Sequence, residues 1–260
     1  HVHIATEGPV GLAARRACLR LGLAFTTSYH TRFPEYLRAR LPVPVGLSYA
    51  WLRRFHNAGN ACLVATASIR ADLAARAFEH LVAWTRGVDH GLFHPCPPDE
   101  LERPVFLNVG RLAVEKNLEA FLDLDLPGSK VVVGDGPARR ALQKRYPQAR
   151  FLGPRFGEEL ARCYAAADVF VFPSRTDTFG NVLLEALASG LPVAAFPVPG
   201  PLDVIGGSGA GVLDTDLRRA ALAALAIPRS AALARAARFT WEECARIFLA
   251  AGAPARVMAS

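Results

Sequence analysis

The sequence is poor in cysteine and has no long apolar run. Its five cysteines are odd in number and form no CxxC motif, which argues against a disulfide framework or a zinc site. The longest uncharged run, residues 186–202, contains four prolines, so it predicts strands and turns. A membrane span needs roughly 20 consecutive apolar residues. The composition therefore indicates a globular chain with a sizeable core, and neither a disordered nor a membrane-spanning one.

Lysine is scarce and the basic charge is uneven. Only Lys116, Lys130 and Lys144 are lysines, and the formal net charge is +7. Residues 1–95 hold 11 arginines and five acidic residues, a net charge of +6, while residues 96–260 hold 19 basic and 18 acidic residues, a net charge of +1. Such a bias suits nucleic acid, an anionic membrane, a phosphorylated ligand or only a solvated arginine-rich face, and composition does not choose among them.

Short β-rich runs alternate with stretches of helical period along the chain. The predicted strands are 2–6, 24–28, 61–65, 81–84, 105–109, 130–133, 149–152, 169–172, 193–196 and 211–213. Helices are predicted between them, including one at 115–124, and a final pair at 229–237 and 240–250 has no strand after it. This alternation predicts an α/β fold with parallel sheets.

The segment 85–103 separates two parts of the chain. It has no sustained period and carries three prolines, which is typical of a crossing between domains. We place a boundary near residue 97, giving a first domain at 1–97 and a second at 98–260. The first is short for a doubly wound domain and opens directly on a strand. We therefore expect it to be incomplete at its N-terminal side.

Ligands of open parallel sheets bind beyond the carboxyl ends of the strands, so the loops there are the places to search. After strand 105–109, GRLAVEKN places Arg111 and Lys116 around a glycine turn and the start of a helix, a pattern that suits phosphate. Solvated surface cations are the alternative. After strand 130–133, Gly134 and Gly136 of GDGP allow the backbone to approach a neighbouring group closely. The motif is not a dinucleotide fingerprint.

The richest stretch is PSRTDTFGNVLLEALASG, after strand 169–172. Asp177 lies in its loop, Gly180 opens a helix, and Glu185 lies in the second turn among apolar residues. A carboxylate buried there needs donors, which sugar or ribose hydroxyls would supply, although an early-helix acid facing water explains Glu185 equally well. In the first part, His30 of SYHTRFPEY also follows a strand, and alone it proves nothing.

Taken together, these segments resemble the family 4 retaining glycosyltransferases of GT-B architecture. The resemblance rests on GRLAVEKN, GDGP, the pair Asp177 and Glu185 in TDTFGNVLLEALASGLPV, the linker GVDHGLFHP, and TEGPVG followed by SYHTRFPEY. It is strongest to members that act as GDP-mannose-dependent α-mannosyltransferases. It implies two Rossmann-like domains, the first incomplete here, and transfer of a hexosyl group, mannosyl favoured, from a nucleotide-diphosphate sugar with retention of configuration.

The resemblance also implies a role for each candidate residue. Arg111 and Lys116 would neutralise the diphosphate, so that no obligatory metal or other cofactor is needed. Glu185 would hold the ribose, and Asp177 with the backbone of Phe179 and Gly180 would hold the transferred sugar. His30 would contact that sugar from the first domain. The remaining assignments to the donor are Gly134, Gly136 and, near the base, Arg155.

Two departures from the family pattern matter. The first acid of the pair is usually Glu and here is Asp177, which is also found in the similar subgroup. The first strand and glycine-rich loop of the family do not precede HVHIATEGP, so the chain looks N-terminally truncated. A non-catalytic nucleotide-sugar-binding module is therefore the alternative function.

Partners and location follow from the same resemblance. We expect a glycan or lipid-linked acceptor, a cytoplasmic location, and peripheral contact with an anionic inner membrane through the basic first part. YAWLRRFH, residues 49–56, fits an interfacial helix or, somewhat better, a core-facing aromatic stripe with solvated arginines. Nucleic acid is the weakest candidate partner because interleaved aromatics and known motifs are missing.

Overall fold

The computed structural model describes residues 1–30, 33–38, 44–95, 102–177 and 179–252. Within them the chain forms two compact units, His1–Arg86 together with the chain from Glu242 onward, and Gly87–Trp241. The predicted boundary near residue 97 lies outside the described residues. The division differs from the predicted second domain, 98–260, because the last helix belongs to the first unit.

The first unit is built on a parallel sheet of four strands in the order β1-β2-β3-β4. The strands are β1 Val2–Ile4, β2 Phe25–Tyr29, β3 Ala61–Val64 and β4 Leu81–Ala83. The helices between them are α1 Pro9–Leu21, α2 Phe33–Arg38, α3 Val45–His56 and α4 Ala67–Ala75. Every residue of β2 and β3 is buried, as expected for parallel strands covered on both faces.

The second unit holds a parallel sheet of six strands in the order β10-β9-β8-β5-β6-β7. The strands are β5 Val105–Val109, β6 Ser129–Val133, β7 Arg150–Gly153, β8 Val169–Phe172, β9 Val193–Ala195 and β10 Gly211–Leu213. The helices are α5 Glu119–Leu122, α6 Arg139–Arg145, α7 Gly157–Ala165, α8 Asn181–Ala188, α9 Pro199–Val204, α10 Leu217–Ala224 and α11 Arg229–Ala236. Numbered within the unit, this order is 6-5-4-1-2-3, the doubly wound Rossmann arrangement.

The helix predicted at 115–124 does not form as one element. A 3₁₀ turn, Val114–Lys116, is followed by Asn117 in the left-handed conformation (φ 53°) and then by the single turn α5. The side-chain amide of Asn117 donates to the carbonyl of Pro173 at 3.0 Å, which ties the kink to the loop after β8. Lys116 therefore ends a 3₁₀ turn, and the prediction that it begins a helix was wrong.

The stretch YAWLRRFH has a buried face and an exposed face. It lies in α3, where Leu52 and Phe55 are buried in the core of the first unit and Trp51 is 42% exposed. Leu47, one turn before Trp51, is 68% exposed. The outer face of α3 thus combines two apolar side chains with the exposed Arg53 and Arg54.

The last helix, α12 Trp241–Gly252, packs on the sheet of the first unit. Its Phe248 ring lies 4.8 Å from the ring of His3 and 5.6 Å from that of Trp84. The Trp84 indole N–H donates to the carbonyl of Cys244 at 3.0 Å. These contacts explain why the helix leaves the second unit, in which the sequence had placed it.

Candidate membrane spans were sought among the described helices. No single one is long and apolar enough to cross a bilayer, and a bent pair, Leu217–Ala224 with Arg229–Gly252, meets the length and composition test only when joined across a 102° bend.

Replacing Phe248 tests the docking of α12. We expect Phe248→Ala to lower the free energy of unfolding of the first unit by about 1–3 kcal/mol, because a partly buried aromatic loses its packing. Leu249→Ala is the matched control, since Leu249 follows in the same helix and is 70% exposed. Urea unfolding with hydrogen exchange on β1 to β4 measures both. Equal effects of the two variants would contradict the docking.

Candidate functional site

The candidate site lies where two loops meet at the edge of the second sheet. β5 and β8 are neighbours, with Phe106 opposite Val169 and Leu107 opposite Phe170. The strand order reverses at this pair, and doubly wound sheets bind ligands in the crevice beyond the carboxyl ends at such a point. The loops after β5 and β8 contain five of the ten predicted site residues.

Side-chain bonds join these two loops. The ammonium of Lys116 donates to Oδ1 of Asp177 at 2.6 Å, and the pair is partly open to solvent. The Thr176 hydroxyl donates to the carbonyl of Glu115 at 3.3 Å, beside the bond from Asn117 described above. The structure thus brings Lys116 and Asp177, which are 61 positions apart, into one ion pair.

The Asp177 carboxylate has a second oxygen in an unusual setting. Oδ2 is buried and, within the described ranges, has no hydrogen-bond partner. A buried carboxylate oxygen without a donor is costly, and it is suited to accept a hydroxyl from a ligand. The pair therefore presents one ammonium and one free acceptor side by side.

A small pocket of about 40 Å³ lies between the two loops. Its walls include Gly110, Arg111, Lys116, Ser174 and, from the first turn of α8, Val182. Arg111 is exposed, and no side-chain hydrogen bond or ion pair joins it to another described residue. Two cations on one pocket wall can neutralise an anion such as a phosphate.

Ser174 was not singled out from the sequence. It is 1% exposed, its hydroxyl has no hydrogen-bond partner within the part of the chain described, and it lines the same pocket. The sequence feature that could have indicated Ser174 is its position in the loop directly after β8, next to Pro173.

The glycines of GDGP pack against protein backbone. A β-carbon on Gly134 would lie 1.9 Å from the carbonyl oxygen of Gly110, and one on Gly136 would lie 2.3 Å from that of Leu112. The amide of Leu112 donates to the carbonyl of Asp135 at 2.9 Å, so the two loops run in contact. Gly134 and Gly136 thus shape the loop that carries Arg111, which gives them a structural role whatever they contact in a complex.

The start of α8 is formed by Phe179 and Gly180. The Phe179 side chain is 6% exposed and meets the ring of Phe239 edge-on at 6.1 Å, so it belongs to the core of the second unit. Gly180 caps α8 with φ 84°, a left-handed conformation that favours glycine. The amide of Leu183 donates to the carbonyl of Gly180 at 2.9 Å, and the positive end of the α8 dipole lies at this turn.

Glu185 is partly buried and hydrogen-bonded. The hydroxyl of Tyr164, a fully buried residue of α7, donates to its Oε2 at 2.7 Å. Burial raises the pKa of Glu185, and the bond from Tyr164 lowers it only in part. Burial and the nearby Glu185 carboxylate raise the pKa of Tyr164 as well. Tyr164 was missed by the sequence reasoning, because no pattern shows which tyrosine faces α8.

Arg155 stands apart from this cluster. It follows β7, the edge strand, with β6 lying between β7 and β5. Its guanidinium lies 3.5 Å from the carboxylate of Glu159, one turn into α7. The structure does not bring Arg155 to the pocket between the loops, so its assignment to the base of a nucleotide stays a prediction.

His30 lies in the first unit, directly after β2. Its Nε2 is 2.6 Å from the hydroxyl of Ser28, and its Nδ1 is 3.0 Å from the guanidinium of Arg86. Partial burial and then the charge of Arg86 lower the pKa of His30. Both ring nitrogens are therefore engaged within the protein, which the sequence did not predict.

Two protein families match the chain in succession. "Glycosyltransferase Family 4" matches residues 1–92, and "Glycosyl transferases group 1" matches residues 103–228. The chain therefore joins a glycosyltransferase family 4 domain to a glycosyltransferase group 1 domain. The resemblance drawn from the sequence motifs is thereby confirmed.

Proteins similar to the chain bear the names of glycosyltransferases. A GDP-mannose-dependent alpha-mannosyltransferase of Mycobacterium tuberculosis is 36% identical over 215 residues, covering 78% of this chain and 57% of the relative. The sulfoquinovosyl transferase SQD2 of Arabidopsis thaliana is 35% identical, covering 78% and 44%. The chain thus spans about half the length of these relatives.

Solved structures confirm the GT-B fold. HepE of Anabaena, in complex with UDP and glucose, aligns with a TM-score of 0.76 at 16% identity, covering 97% of this chain and 78% of HepE. Sucrose-phosphate synthase of Thermosynechococcus elongatus aligns with a TM-score of 0.75 at 22% identity, covering 96% and 71%.

Because burial raises the pKa of Glu185, its ionised carboxylate should lower the stability of the folded protein. A carboxyl whose pKa is higher in the folded than in the unfolded protein destabilises the fold as the pH rises from its ordinary value of 4.5 through its folded value. Far below 4.5 both states are protonated and the cost disappears. We therefore expect Glu185→Gln to raise the free energy of unfolding at pH 7, with a gain that shrinks as the pH falls toward 4.

Chemical unfolding across pH 4–8 measures this. Glu158→Gln is the control, because the Glu158 side chain is 85% exposed. A Glu185→Gln variant that changes stability equally at every pH would show that the buried charge carries no cost.

Proposed function

We propose that the protein to which this chain belongs transfers a hexosyl group, mannosyl favoured, from a nucleotide-diphosphate sugar to a hydroxyl acceptor. The observation that carries the proposal is the Lys116–Asp177 pair at the switch point, with a buried, unpartnered oxygen on Asp177 among the described residues. A diphosphate needs cations and a sugar needs hydroxyl acceptors, and this pair supplies both.

Charge neutralisation is the proposed contribution of Arg111 and Lys116. As the sugar leaves, negative charge grows on the diphosphate, and preorganised cations stabilise that charge most where water is excluded. Lys116 has three donors, so it can keep Asp177 and still bind a phosphate oxygen. Because the two cations supply this charge, we propose that no metal ion or other cofactor is obligatory.

Orientation of the donor is the proposed role of the two acids. Asp177 accepts a sugar hydroxyl through Oδ2, and the backbone of Phe179 and Gly180 contacts the same sugar. Glu185, already held by Tyr164, accepts ribose hydroxyls. We propose retention of configuration, the stereochemistry that the family resemblance implies.

A GDP-mannose donor is favoured by the mannosyltransferase relatives, two of which, from Mycobacterium tuberculosis and Mycolicibacterium smegmatis, are 36% and 34% identical to this chain. SQD2, at 35%, is a sulfoquinovosyl transferase, so the sugar needs a direct test. The sugar-holding groups, Asp177 and the start of α8, belong to the second unit, which makes donor binding measurable on this chain.

Donor titration tests the site. We expect Lys116→Ala to raise the dissociation constant for GDP-mannose about 10- to 100-fold, the size of a lost charge-assisted hydrogen bond. Lys144→Ala, an exposed lysine of α6, is the control. Calorimetry with GDP-mannose, GDP and UDP-glucose on both variants and the parent ranks the donors. Equal affinities for parent and Lys116→Ala would refute the phosphate site.

Two matched serine variants provide a second test in the same donor titration. Ser174 and Ser189 are both buried with unpartnered hydroxyls in the described part of the second unit, but only Ser174 lines the pocket. Ser174→Ala should weaken donor binding and Ser189→Ala should not.

The alternative function is a module that binds the donor without transferring sugar. A turnover assay distinguishes it from a transferase. The chain spans about half the length of its relatives, so transfer is assayed in a protein of the relatives' full length. Sugar transfer there excludes the binding-only function.

We further propose that the acceptor is a glycan or lipid-linked hydroxyl at the inner face of an anionic plasma membrane. The support is the charge of +6 on residues 1–95 and the outer face of α3, with Leu47 and Trp51 exposed beside Arg53 and Arg54. Apolar side chains that enter the interface, flanked by arginines, bind anionic lipid.

Liposome flotation tests this contact. The parent chain should float with vesicles of phosphatidylcholine and phosphatidylglycerol at low salt but not with phosphatidylcholine alone. Leu47→Ala with Trp51→Ala should reduce flotation severalfold, whereas Leu249→Ala, an exposed leucine of α12, should not. Flotation that is independent of anionic lipid would contradict the proposal.

A further inference from the structure

One face of the first sheet carries a row of histidines and hydroxyls. His1 directly precedes β1, and His3 lies within it. Thr26 and Ser28 are alternate residues of β2, so their side chains share a face. Thr26 and Ser28 are each 1% exposed. His30 continues the row past the end of β2. Thr27 and His56, by contrast, are bonded to each other at 2.9 Å.

The row is a continuous chain of hydrogen bonds. Arg86 to His30 Nδ1 is 3.0 Å, His30 Nε2 to Ser28 Oγ is 2.6 Å, and Ser28 Oγ to His3 Nε2 is 3.2 Å. His3 Nδ1 to Thr26 Oγ1 is 2.8 Å, and Thr26 Oγ1 to His1 Nε2 is 2.9 Å. Arg86 is the terminal donor of this hydrogen-bond chain and the last residue of the segment His1–Arg86 of the first unit.

The guanidinium fixes the tautomer of His30, and one consistent arrangement of protons then satisfies the rest of the hydrogen-bond chain. Arginine has donors and no acceptor, so Nδ1 of His30 must accept and the ring proton must lie on Nε2. Nε2–H then donates to Ser28, whose own proton is directed to Nε2 of His3. His3 in turn carries its proton on Nδ1 and donates to Thr26, which donates to His1. In this arrangement His30, Ser28, His3 and Thr26 each donate one hydrogen bond and accept one.

Arg86 is itself held rigidly. Its Nη1 donates to the carbonyls of Trp84 and Thr85 at 3.4 and 3.3 Å, and its guanidinium carbon lies 4.1 Å from the centre of the Trp84 ring. Burial lowers the pKa of Arg86, but an arginine side chain stays protonated in proteins. The Trp84 ring also stands 5.9 Å from that of His30.

We propose that Arg86 is a positioning residue for His30, which it holds in the Nε2–H tautomer at the head of a hydrogen-bond chain through Ser28, His3 and Thr26. Any contact of His30 with the transferred sugar rests on the family resemblance and on the proposed function, whereas the tautomer rests on the hydrogen bonds. With both nitrogens engaged, His30 presents a ring of fixed orientation and no free nitrogen to its surroundings.

The charged and titratable groups around His30 agree with a neutral ring. Arg86 and His56 lower its pKa, Glu7 raises it, and partial burial is the largest influence and lowers it. Burial and His30 also lower the pKa of His3. On the helix α12, which covers this face, the groups in contact are the Phe248 ring and the Cys244 carbonyl.

Nitrogen-15 NMR of the histidine rings in the 260-residue chain tests the tautomer directly. At pH 7.5 we expect the pattern of a neutral ring protonated on Nε2 for His30 and on Nδ1 for His3. A His30 ring protonated on Nδ1, or doubly protonated, would overturn the proposal without any variant.

Variants test the cause. Arg86→Gln should give His30 a mixture of tautomers and raise its titration midpoint by about one pH unit, because a neighbouring positive charge is removed. Arg76→Gln is the matched control, since Arg76 in the same unit also lies 4.1 Å from the centre of an aromatic ring, that of Tyr49. An unchanged tautomer and midpoint in Arg86→Gln would refute the role of Arg86.

Ser28→Ala tests the chain beyond His30. It should shift the ring signals of His3 and His30 and leave those of His56, which bonds to Thr27 and Glu7, in place. Shifts confined to His30 would disprove the continuous chain. No donor sugar enters these measurements, so a failed donor titration and a failed tautomer assignment are distinguishable.

Discussion

The pairing of β5 with β8 is the constraint from which the candidate site follows. These strands are separated by about sixty residues of chain, residues 110–168, yet their backbones are hydrogen-bonded and their carboxyl ends lie side by side. Only that adjacency lets Lys116, in the loop after one strand, reach Asp177, in the loop after the other. The apolar sheet beneath both loops is buried on its two faces and holds them in register.

The site places polar groups where the fold alone would not favour them. One oxygen of Asp177 and the hydroxyl of Ser174 are buried without partners among the described residues, and Glu185 is held partly out of water. Each of these costs stability in the free protein and becomes favourable only with a ligand that carries hydroxyls or phosphates. Such a local conflict, on an otherwise consistent apolar scaffold, is typical of a functional site.

The first unit shows a different use of polar groups. Its histidines and hydroxyls satisfy one another in a row that ends on Arg86, and the aromatic rings of Trp84 and Phe248 cover it. The helix that supplies Phe248 comes from the far end of the chain. A completed polar network in a low-dielectric setting orders its members, and here it orders the histidine that the family resemblance singles out.

Much of the architecture was predictable because it depends on local pattern. The period of the apolar residues located all ten strands, and the glycines and polar residues after β5, β6 and β8 indicated the loops that carry the site. The motifs also identified the family. The kink at Asn117 was not predictable, because it is stabilised by a carbonyl of a distant loop.

Tertiary structure alone decided which residues meet. The sequence determined that Lys116, Asp177, Glu185 and His30 follow or flank strands, since that depends on neighbours along the chain. It did not determine that Tyr164 bonds Glu185, that Arg86 orients His30, or that the last helix joins the first unit. Those contacts depend on strand order and on side-chain directions across elements, which hydrogen bonds and packing between remote segments establish only when the chain folds.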